Sequence, residues 1–269
     1  MSLATFDSIG FSFDSELAIE DTLAACQAQW IPSRIKGVRT VTRFSDSSGA
    51  QICGVELKDG RRQFYPHIDG VAGDFRCEVE MIRPGLVVVN LFDGRHLFSR
   101  FTALDDSPGL YPLTTFWSGE RPKVFDRYHL AALMTECTLW DSEETYYEPL
   151  TDTPDSAIFA AGHLVSMGIF NVSDVKNPEV PLTECARTYV GGIIRRVDAQ
   201  ANGMTGAQWI RIEVDSMVPM VMAIPADTGL NPQPGNVLSG VGLLVGSAEV
   251  STQLSFFAHY GWNIIRRTR

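Results

Sequence analysis

Apolar and polar positions partly alternate in short segments between residues 37 and 104, which is the pattern of half-buried antiparallel strands. Turn-forming Gly and Asp residues separate these segments, and Asp59-Gly60 and Asp93-Gly94 are the strongest hairpin-turn signals. We therefore predict an antiparallel β-meander in this region. Its strands are residues 37–44, 50–57, 61–68, 75–82, 86–92 and 96–104.

Other segments have the pattern of helices. Residues 14–29 carry acidic side chains in the first turn and a rough apolar stripe after it. Apolar residues also fall near one face over residues 123–137, and a proline followed by an aspartate suits the first turn of a helix over residues 154–168. The Pro- and Gly-rich residues 105–122 predict a connecting loop, and residues 171–184 are the best linker candidate.

The C-terminal third has a denser strand pattern. Residues 188–199 predict a long first strand that bends at a glycine pair, and residues 207–214 alternate cleanly. Residues 218–225 predict a third strand, and the Gly-rich residues 231–246 close the set. Five strands in about 60 residues, with a bent first strand and a Gly-rich end, resemble an OB-fold. The resemblance implies a binding fold that carries no chemistry of its own.

These patterns together predict a mainly β protein of the α+β type. Residues 1–122 are predicted to hold a helix and an antiparallel β-meander or barrel, residues 123–184 a helical connector, and residues 185–269 a five-stranded OB-like barrel with an aromatic C-terminal segment. The tripeptide Gly-Ala-Gln precedes a predicted strand at residues 49–51 and again at residues 206–208. A tandem of related barrels is one explanation of this echo, and chance identity is the other.

Composition and charge narrow the function classes. The chain has 269 residues, 45% of them apolar, and a net charge of −10, which disfavours sequence-independent binding of nucleic acid. No apolar segment is long enough to span a membrane, and the N-terminus lacks the pattern of a signal peptide. Five dispersed cysteines fit a reducing compartment, so a cytoplasmic location is expected, and they offer no zinc-binding spacing. No cofactor or metal is indicated.

The densest cluster of polar side chains surrounds His67. The cluster comprises Tyr65, His67, Asp69 and Asp74. His67 and Asp69 are two residues apart, so a strand would place both on one face, where an imidazole and a carboxylate suit proton transfer or metal ligation. The alternative is a turn in which Asp69 accepts hydrogen bonds from backbone amides beside Gly70. The other histidines are isolated and lack a metal-binding spacing: His96, His129, His163 and His259.

Trp209 and Arg211 form a second candidate site. If Ile210, Ile212 and Val214 fill the barrel, these two side chains point outward, on the face that OB-folds use for ligands. An exposed aromatic ring beside a guanidinium stacks on bases, sugars or side chains of a partner. The alternative is that Trp209 packs against the helical region or the C-terminal aromatic segment.

Three functions follow from these observations. The first is a non-catalytic binding or assembly module, whose partner is an unknown protein or a second copy of the chain. The second is an enzyme acting on a small ligand at a site around His67 and Asp69. The third is single-stranded nucleic-acid binding by the OB-like barrel, which rests on fold analogy alone and is disfavoured by the net charge.

Overall fold

A computed structural model describes residues 4–33, 35, 37–73, 75–105, 123–148, 159–168, 175–177 and 179–248. These residues form a mainly β fold, as the sequence predicts. The helices are α1 (Ala4–Asp7), α2 (Glu16–Ala25), α3 (Glu143–Tyr147) and α4 (Leu182–Cys185). The strands are β1 (Ile31–Pro32), β2 (Val38–Ser45), β3 (Ala50–Leu57), β4 (Arg62–Ile68), β5 (Val71–Gly73), β6 (Arg76–Arg83), β7 (Leu86–Asp93), β8 (His96–Asp105), β9 (Lys123–Phe125), β10 (Tyr128–Trp140), β11 (Leu164–Ser166), β12 (Arg187–Ala201), β13 (Gln208–Asp215), β14 (Pro219–Pro225) and β15 (Val237–Ala248).

The first sheet has the order β1-β2-β3-β4, with antiparallel pairing throughout. The turn at Asp59-Gly60 connects β3 to β4, and Gly60 has a φ of 89°, a left-handed conformation that glycine adopts without strain. The helix predicted over residues 14–29 is confirmed as α2. Its N-cap is Ser15, whose hydroxyl accepts a hydrogen bond from the Ala18 N–H.

The second sheet contains the remaining predicted strands of the N-terminal half. Strands β6, β7 and β8 form an antiparallel meander, with the predicted turn at Asp93-Gly94 between β7 and β8. All six strands predicted between residues 37 and 104 are therefore confirmed. The single meander is not, because β2–β4 and β6–β8 belong to different sheets.

The C-terminal strands close into a ring, but the fifth strand comes from an unexpected place. Residues 187–248 supply four strands, β12 to β15, where a set of five was predicted. The fifth is β10, which pairs in parallel with β14 and antiparallel with β15, while β15 also pairs with β12. We call this closed set, β12-β13-β14-β10-β15, the C-terminal ring.

A second circuit of strands shares β10 and β15 with the first. The meander β6-β7-β8 continues through the parallel pair of β8 with β15, and β15 pairs with β10. The chain runs from β10 back through Asp126 and Arg127 into β9, which pairs with β6. We call this circuit the N-terminal ring. Each ring is a three-stranded meander closed by the same antiparallel pair of long strands, so the two rings interlock.

The repetition of the two rings does not correspond to the repeated Gly-Ala-Gln tripeptide in the sequence. The Gly-Ala-Gln tripeptides lie at the start of β3, which belongs to the first sheet, and at the start of β13, which belongs to the C-terminal ring. The strand pairings show a different repeat. β6-β7-β8 and β12-β13-β14 are each three-stranded meanders, and each pairs with β15, through β8 and β12 respectively.

The helix predicted over residues 123–137 is wrong, because this segment forms β9 and most of β10. Burial on both faces of β10 explains the error. Ala131 and Leu133 join the core shared with the first sheet, whereas Ala132 and Met134 join the core inside the rings. A strand that is buried on both faces shows no polar alternation, and Ala, Leu and Met are strong helix formers.

Other predicted connections are only partly within the described residues. The helix predicted over residues 154–168 is wrong in its described part, because Leu164–Ser166 form β11 and pair with β12. Residues 154–158 lie outside the described residues. The loop predicted over residues 105–122 lies outside the described residues from residue 106 onward. The linker candidate at residues 171–184 includes most of α4, whose Leu182 is buried.

The described residues pack into layers. One apolar core lies between the first sheet with its helices and the face of the rings that carries Leu104, Val221 and Val245. A second core fills the inside of both rings without interruption, from Val79 and Phe101 to Ile212 and Met222. Among the described residues, no helix is long and apolar enough to cross a membrane.

Candidate ligand-binding groove

The outer surface of the C-terminal ring carries a groove where β10, β15 and β12 lie side by side. Val190 and Leu238 belong to the ring core, so their neighbours Tyr189 and Ser239 point outward. The groove has a volume of about 350 Å³, within the range of small-ligand sites, roughly 300–1,000 Å³. Its described lining residues are Glu136, Cys137, Thr138, Trp140, Tyr146, Tyr189, Ser239, Gly240 and Val241.

Trp140 and Tyr146 form one end of the groove. Trp140 is the last residue of β10, and α3 begins after a two-residue turn. A capping box starts this helix: the Ser142 hydroxyl accepts from the Thr145 N–H at 3.3 Å, and the Thr145 hydroxyl accepts from the Ser142 N–H at 3.0 Å. The turn returns Tyr146 to Trp140, with the ring centroids 5.9 Å apart and the planes at 88°.

Tyr189 lines the groove from β12 and is held by other rings. Its centroid lies 4.5 Å from that of His163 and 5.5 Å from that of Phe159. His163 stands directly over Gly191, where an added Cβ would lie 2.5 Å from the imidazole Cε1, so only glycine leaves room for it. The Tyr189 ring is therefore fixed in place before any ligand arrives.

The groove is electrically negative. Glu136 is the one charged residue among the described lining residues. The adjoining segment exposes four more carboxylates, at Asp141, Glu143, Glu144 and Glu148. The hydrogen bond with the Ser142 side chain lowers the pKa of Glu144, so this carboxylate stays ionised at neutral pH.

Uncharged polar groups also line the groove. Hydroxyls of Thr138 and Ser239 line it, whereas the indole N–H of Trp140 is buried, has no acceptor among the described residues and is not exposed to the groove. Cys137 also lines it, but burial raises the pKa of this thiol, which keeps it protonated. The described lining contains no histidine, and Glu136 is its one carboxylate.

Gly240 shapes the floor of the groove. A Cβ at this position would overlap the backbone carbonyl oxygen of Glu136 and lie 2.7 Å from the Cα of Cys137. Glycine thus permits β10 and β15 to approach closely beside the β-bulge between Met134 and Glu136.

The structure places the predicted pair Tyr65 and His67 in the core. Both side chains are fully buried, on the face of β4 that contacts the rings. The Tyr65 hydroxyl donates to the Asp105 carbonyl oxygen at 2.7 Å, and His67 Nε2 lies 3.1 Å from the Gly246 carbonyl oxygen. The buried carboxylate of Asp105 in turn accepts from the Tyr128 hydroxyl at 3.0 Å. These contacts join the first sheet to β8, β10 and β15.

Asp69 and Arg211, which the sequence assigned to different sites, lie together. Arg211 Nη1 donates to the Asp69 backbone carbonyl oxygen at 2.8 Å, and the Asp69 carboxylate accepts from Gln51 Nε2 at 3.0 Å. The Asp69 side chain is thus directed to Gln51 on β3. Asp69 and Arg211 tie the end of the first sheet to β13.

Of the two alternatives for Trp209, the structure supports packing against another part of the chain and not an exposed stacking surface. Its side chain is 1% exposed and belongs to the core between the first sheet and the rings. The N-terminal region covers it: the Ser48 hydroxyl accepts from Trp209 Nε1 at 3.3 Å, and an added Cβ at Gly10 would lie 3.4 Å from Trp209 Cδ1. The covering segments are therefore the turn before β3 and the segment after α1.

The other histidines are dispersed over the structure. His96 is exposed at the start of β8, and His129 Nδ1 lies 3.4 Å from the Gly70 carbonyl oxygen. His259 is outside the described residues. Within those residues, no three His, Cys, Asp or Glu side chains lie in an arrangement that holds a metal ion.

Residues 140–147 contain the sequence signal for one end of the groove. Ser142 and Thr145 flank two glutamates directly after an apolar segment, which is the pattern of a helix N-terminus. The tryptophan before this cap and the tyrosines inside it predict an aromatic cluster. Its location beside Tyr189 depends on long-range strand pairing, which the sequence pattern does not reveal.

Comparison with known proteins gives no relative: no family model, curated protein or solved structure matches the chain.

Proposed function

We propose that this protein is a non-catalytic binding module and that the groove between Trp140 and Tyr189 is its binding surface. The observation that carries the proposal is an aromatic-lined groove of about 350 Å³ with a carboxylate at its side. Aromatic side chains provide large contact areas and have few rotatable bonds, so they lose little conformational entropy on binding. Trp140 packs against Tyr146, and Tyr189 packs against His163, so both rings are ordered before a ligand binds. This packing lowers the loss of conformational entropy on binding further.

The architecture supports the same proposal. A closed ring of five strands, with β10 as the fifth, agrees with an OB-type barrel, and barrels of this type serve as binding platforms. Fold analogy is a weak argument for function on its own, so the proposal depends on the groove.

The alternative functions have less support. A catalytic site at His67 would need access to solvent, and the side chain is fully buried. Nucleic-acid binding would need basic groups, whereas Glu136 and the carboxylates of α3 surround the groove.

A blocking substitution tests the proposal. Thr138 is exposed and lines the groove, so Thr138→Trp would fill it, and the matched control Thr228→Trp places the same side chain on an exposed turn outside the lining. Each variant would be screened by thermal shift against short peptides of different charge, nucleotides, sugars and oligonucleotides. A ligand that binds only the folded protein raises its melting temperature. At a hundredfold excess over Kd, the free energy of unfolding rises by about 2.7 kcal/mol.

We expect a ligand that stabilises the wild type and the Thr228→Trp variant but not the Thr138→Trp variant, and that is recovered chemically unchanged. Ligands that stabilise all three proteins equally would show that the groove is not the binding surface. Turnover of the ligand would show that the protein is an enzyme.

A further inference from the structure

We infer that the groove binds a positively charged side chain, namely an arginine in an extended segment of a partner protein. This inference rests on the proposed function and specifies the class of ligand. It follows from the combination of aromatic rings, carboxylates and space on one outer surface of the C-terminal ring.

The aromatic rings fit a planar cation. The faces of Trp and Tyr rings carry partial negative charge and attract a guanidinium or ammonium group. Trp140 and Tyr146 stand at 88° to one another, and Tyr146 is 5% exposed, so the half-buried rings of Trp140 and Tyr189 are the ones that a ligand can contact. An arginine side chain stacks on one face and keeps its N–H donors free in the plane of the guanidinium.

The charges of the groove select the same class. Glu136 lies in the lining, and its carboxylate accepts the hydrogen bonds that a guanidinium donates. The described lining contains no Lys or Arg to neutralise this carboxylate. This charge disfavours phosphate or carboxylate ligands and favours a cation over a neutral ligand of the same shape.

The surroundings indicate a protein segment rather than a free small molecule. Asp141, Glu143, Glu144 and Glu148 extend the negative charge from the groove along α3. Several carboxylates in a row suit a chain with further basic residues beside the arginine, and they raise its association rate at low salt.

The test compares two capped pentapeptides that differ in one group. One has arginine at its centre and the other has citrulline, which keeps the shape of the side chain but is neutral. Binding would be measured by calorimetry with the wild type, with Glu136→Gln, and with the matched control Glu80→Gln on β6 of the N-terminal ring. Tyr189→Phe and Tyr189→Leu then separate the loss of the ring from the loss of the hydroxyl.

We expect the arginine peptide to bind about tenfold more tightly than the citrulline peptide at low salt, as a cation–π contact and an ion pair together allow. Glu136→Gln should remove most of this preference and Glu80→Gln none of it. Tyr189→Leu should weaken binding of the arginine peptide about fivefold, whereas Tyr189→Phe should retain it.

Two outcomes would overturn the inference, and they differ in what they say about the groove. Equal binding of both peptides, lost in Thr138→Trp, would leave the groove as a binding surface and exclude selection of a cation. No binding of the arginine peptide, with melting temperatures showing that every variant is folded, would exclude arginine recognition. In that case the blocking experiment above still decides whether the groove binds anything.

Discussion

His67 shows how a residue type that is common in catalytic sites contributes to packing at the scale of single residues. Its ring is fully buried, and Nε2 lies 3.1 Å from the Gly246 carbonyl oxygen on β15. We expect His67→Ala to lower the free energy of unfolding by about 2–4 kcal/mol, because it leaves a cavity and removes the hydrogen-bond partner of a buried carbonyl. Chemical denaturation measures this change. A variant of unchanged stability would show that His67 does not hold the two sheets together.

His163 makes stability depend on pH. Its Nδ1 lies 2.8 Å from the Ala160 carbonyl oxygen, and Nε2 is buried without a partner among the described residues. A proton on Nε2 would be buried without an acceptor, which agrees with burial lowering the pKa of His163 below its usual value. The neutral form is thus favoured in the folded protein, and the unfolded chain binds the proton more readily.

Stability should therefore fall as pH drops below about 6.5, the usual pKa of histidine, by up to about 1.4 kcal/mol per pH unit. Unfolding free energies measured between about pH 7.5 and 5 check this. His163→Phe retains an aromatic ring beside Tyr189 and should reduce the dependence. If the wild type and this variant lose stability in parallel, another group controls the acid response.

Helix α3 shows how one short element builds a binding surface. Its five residues are too few to be stable alone, so the capping box of Ser142 and Thr145 matters more than in a long helix. We expect Ser142→Ala to lower the free energy of unfolding by about 1 kcal/mol and to weaken ligand binding in the groove, because Tyr146 loses its fixed position. Ser142→Asp, which retains a cap, should restore both. Unchanged binding in Ser142→Ala would show that Tyr146 is held by its ring contacts alone.

The limits of sequence analysis are clearest at the level of elements. Strands β2 and β7 could be predicted because Gly and Asp turns delimit them and their apolar residues partly alternate. Strand β10 could not, because both of its faces are buried and its Ala, Leu and Met residues favour a helix. Burial of Trp209 was one of two alternatives from the sequence, but the segments that cover it could not be predicted, since they lie more than 150 residues away, at Gly10 and Ser48. Local pattern indicates a strand that turn residues delimit, such as β2, but not one with helix-forming residues on two buried faces, such as β10. Only tertiary pairing determines what a strand faces.

At the scale of the whole molecule, the two rings share their closing strands. β10 closes the C-terminal ring through its parallel pair with β14, and β15 closes the N-terminal ring through its parallel pair with β8. The two strands also pair with each other from Tyr128 to Trp140 and from Val237 to Ala248. Each half of the chain therefore supplies backbone partners and core side chains that the other half needs.

This interlocking makes a prediction about the sequence-derived boundary at residue 185. A fragment of residues 185–269 contains β12 to β15 but lacks β10, so one edge of β14 and one edge of β15 would lose their partners, and Met222 and Leu244 would lose the neighbours that β10 provides. Unpaired edges and exposed apolar surface are unfavourable in water. We expect this fragment to show no cooperative thermal transition by circular dichroism.

Co-expression with residues 1–184 should restore the cooperative transition, because that fragment supplies β10, and the two pieces should elute together from a sizing column. Substituting Ala132→Asp in residues 1–184 is the matched control: Ala132 pairs with Met222 and Leu244 and is fully buried, so a carboxylate there should prevent the rescue. A cooperative transition of residues 185–269 alone would establish the boundary predicted from sequence, and β10 would then be dispensable for the C-terminal ring.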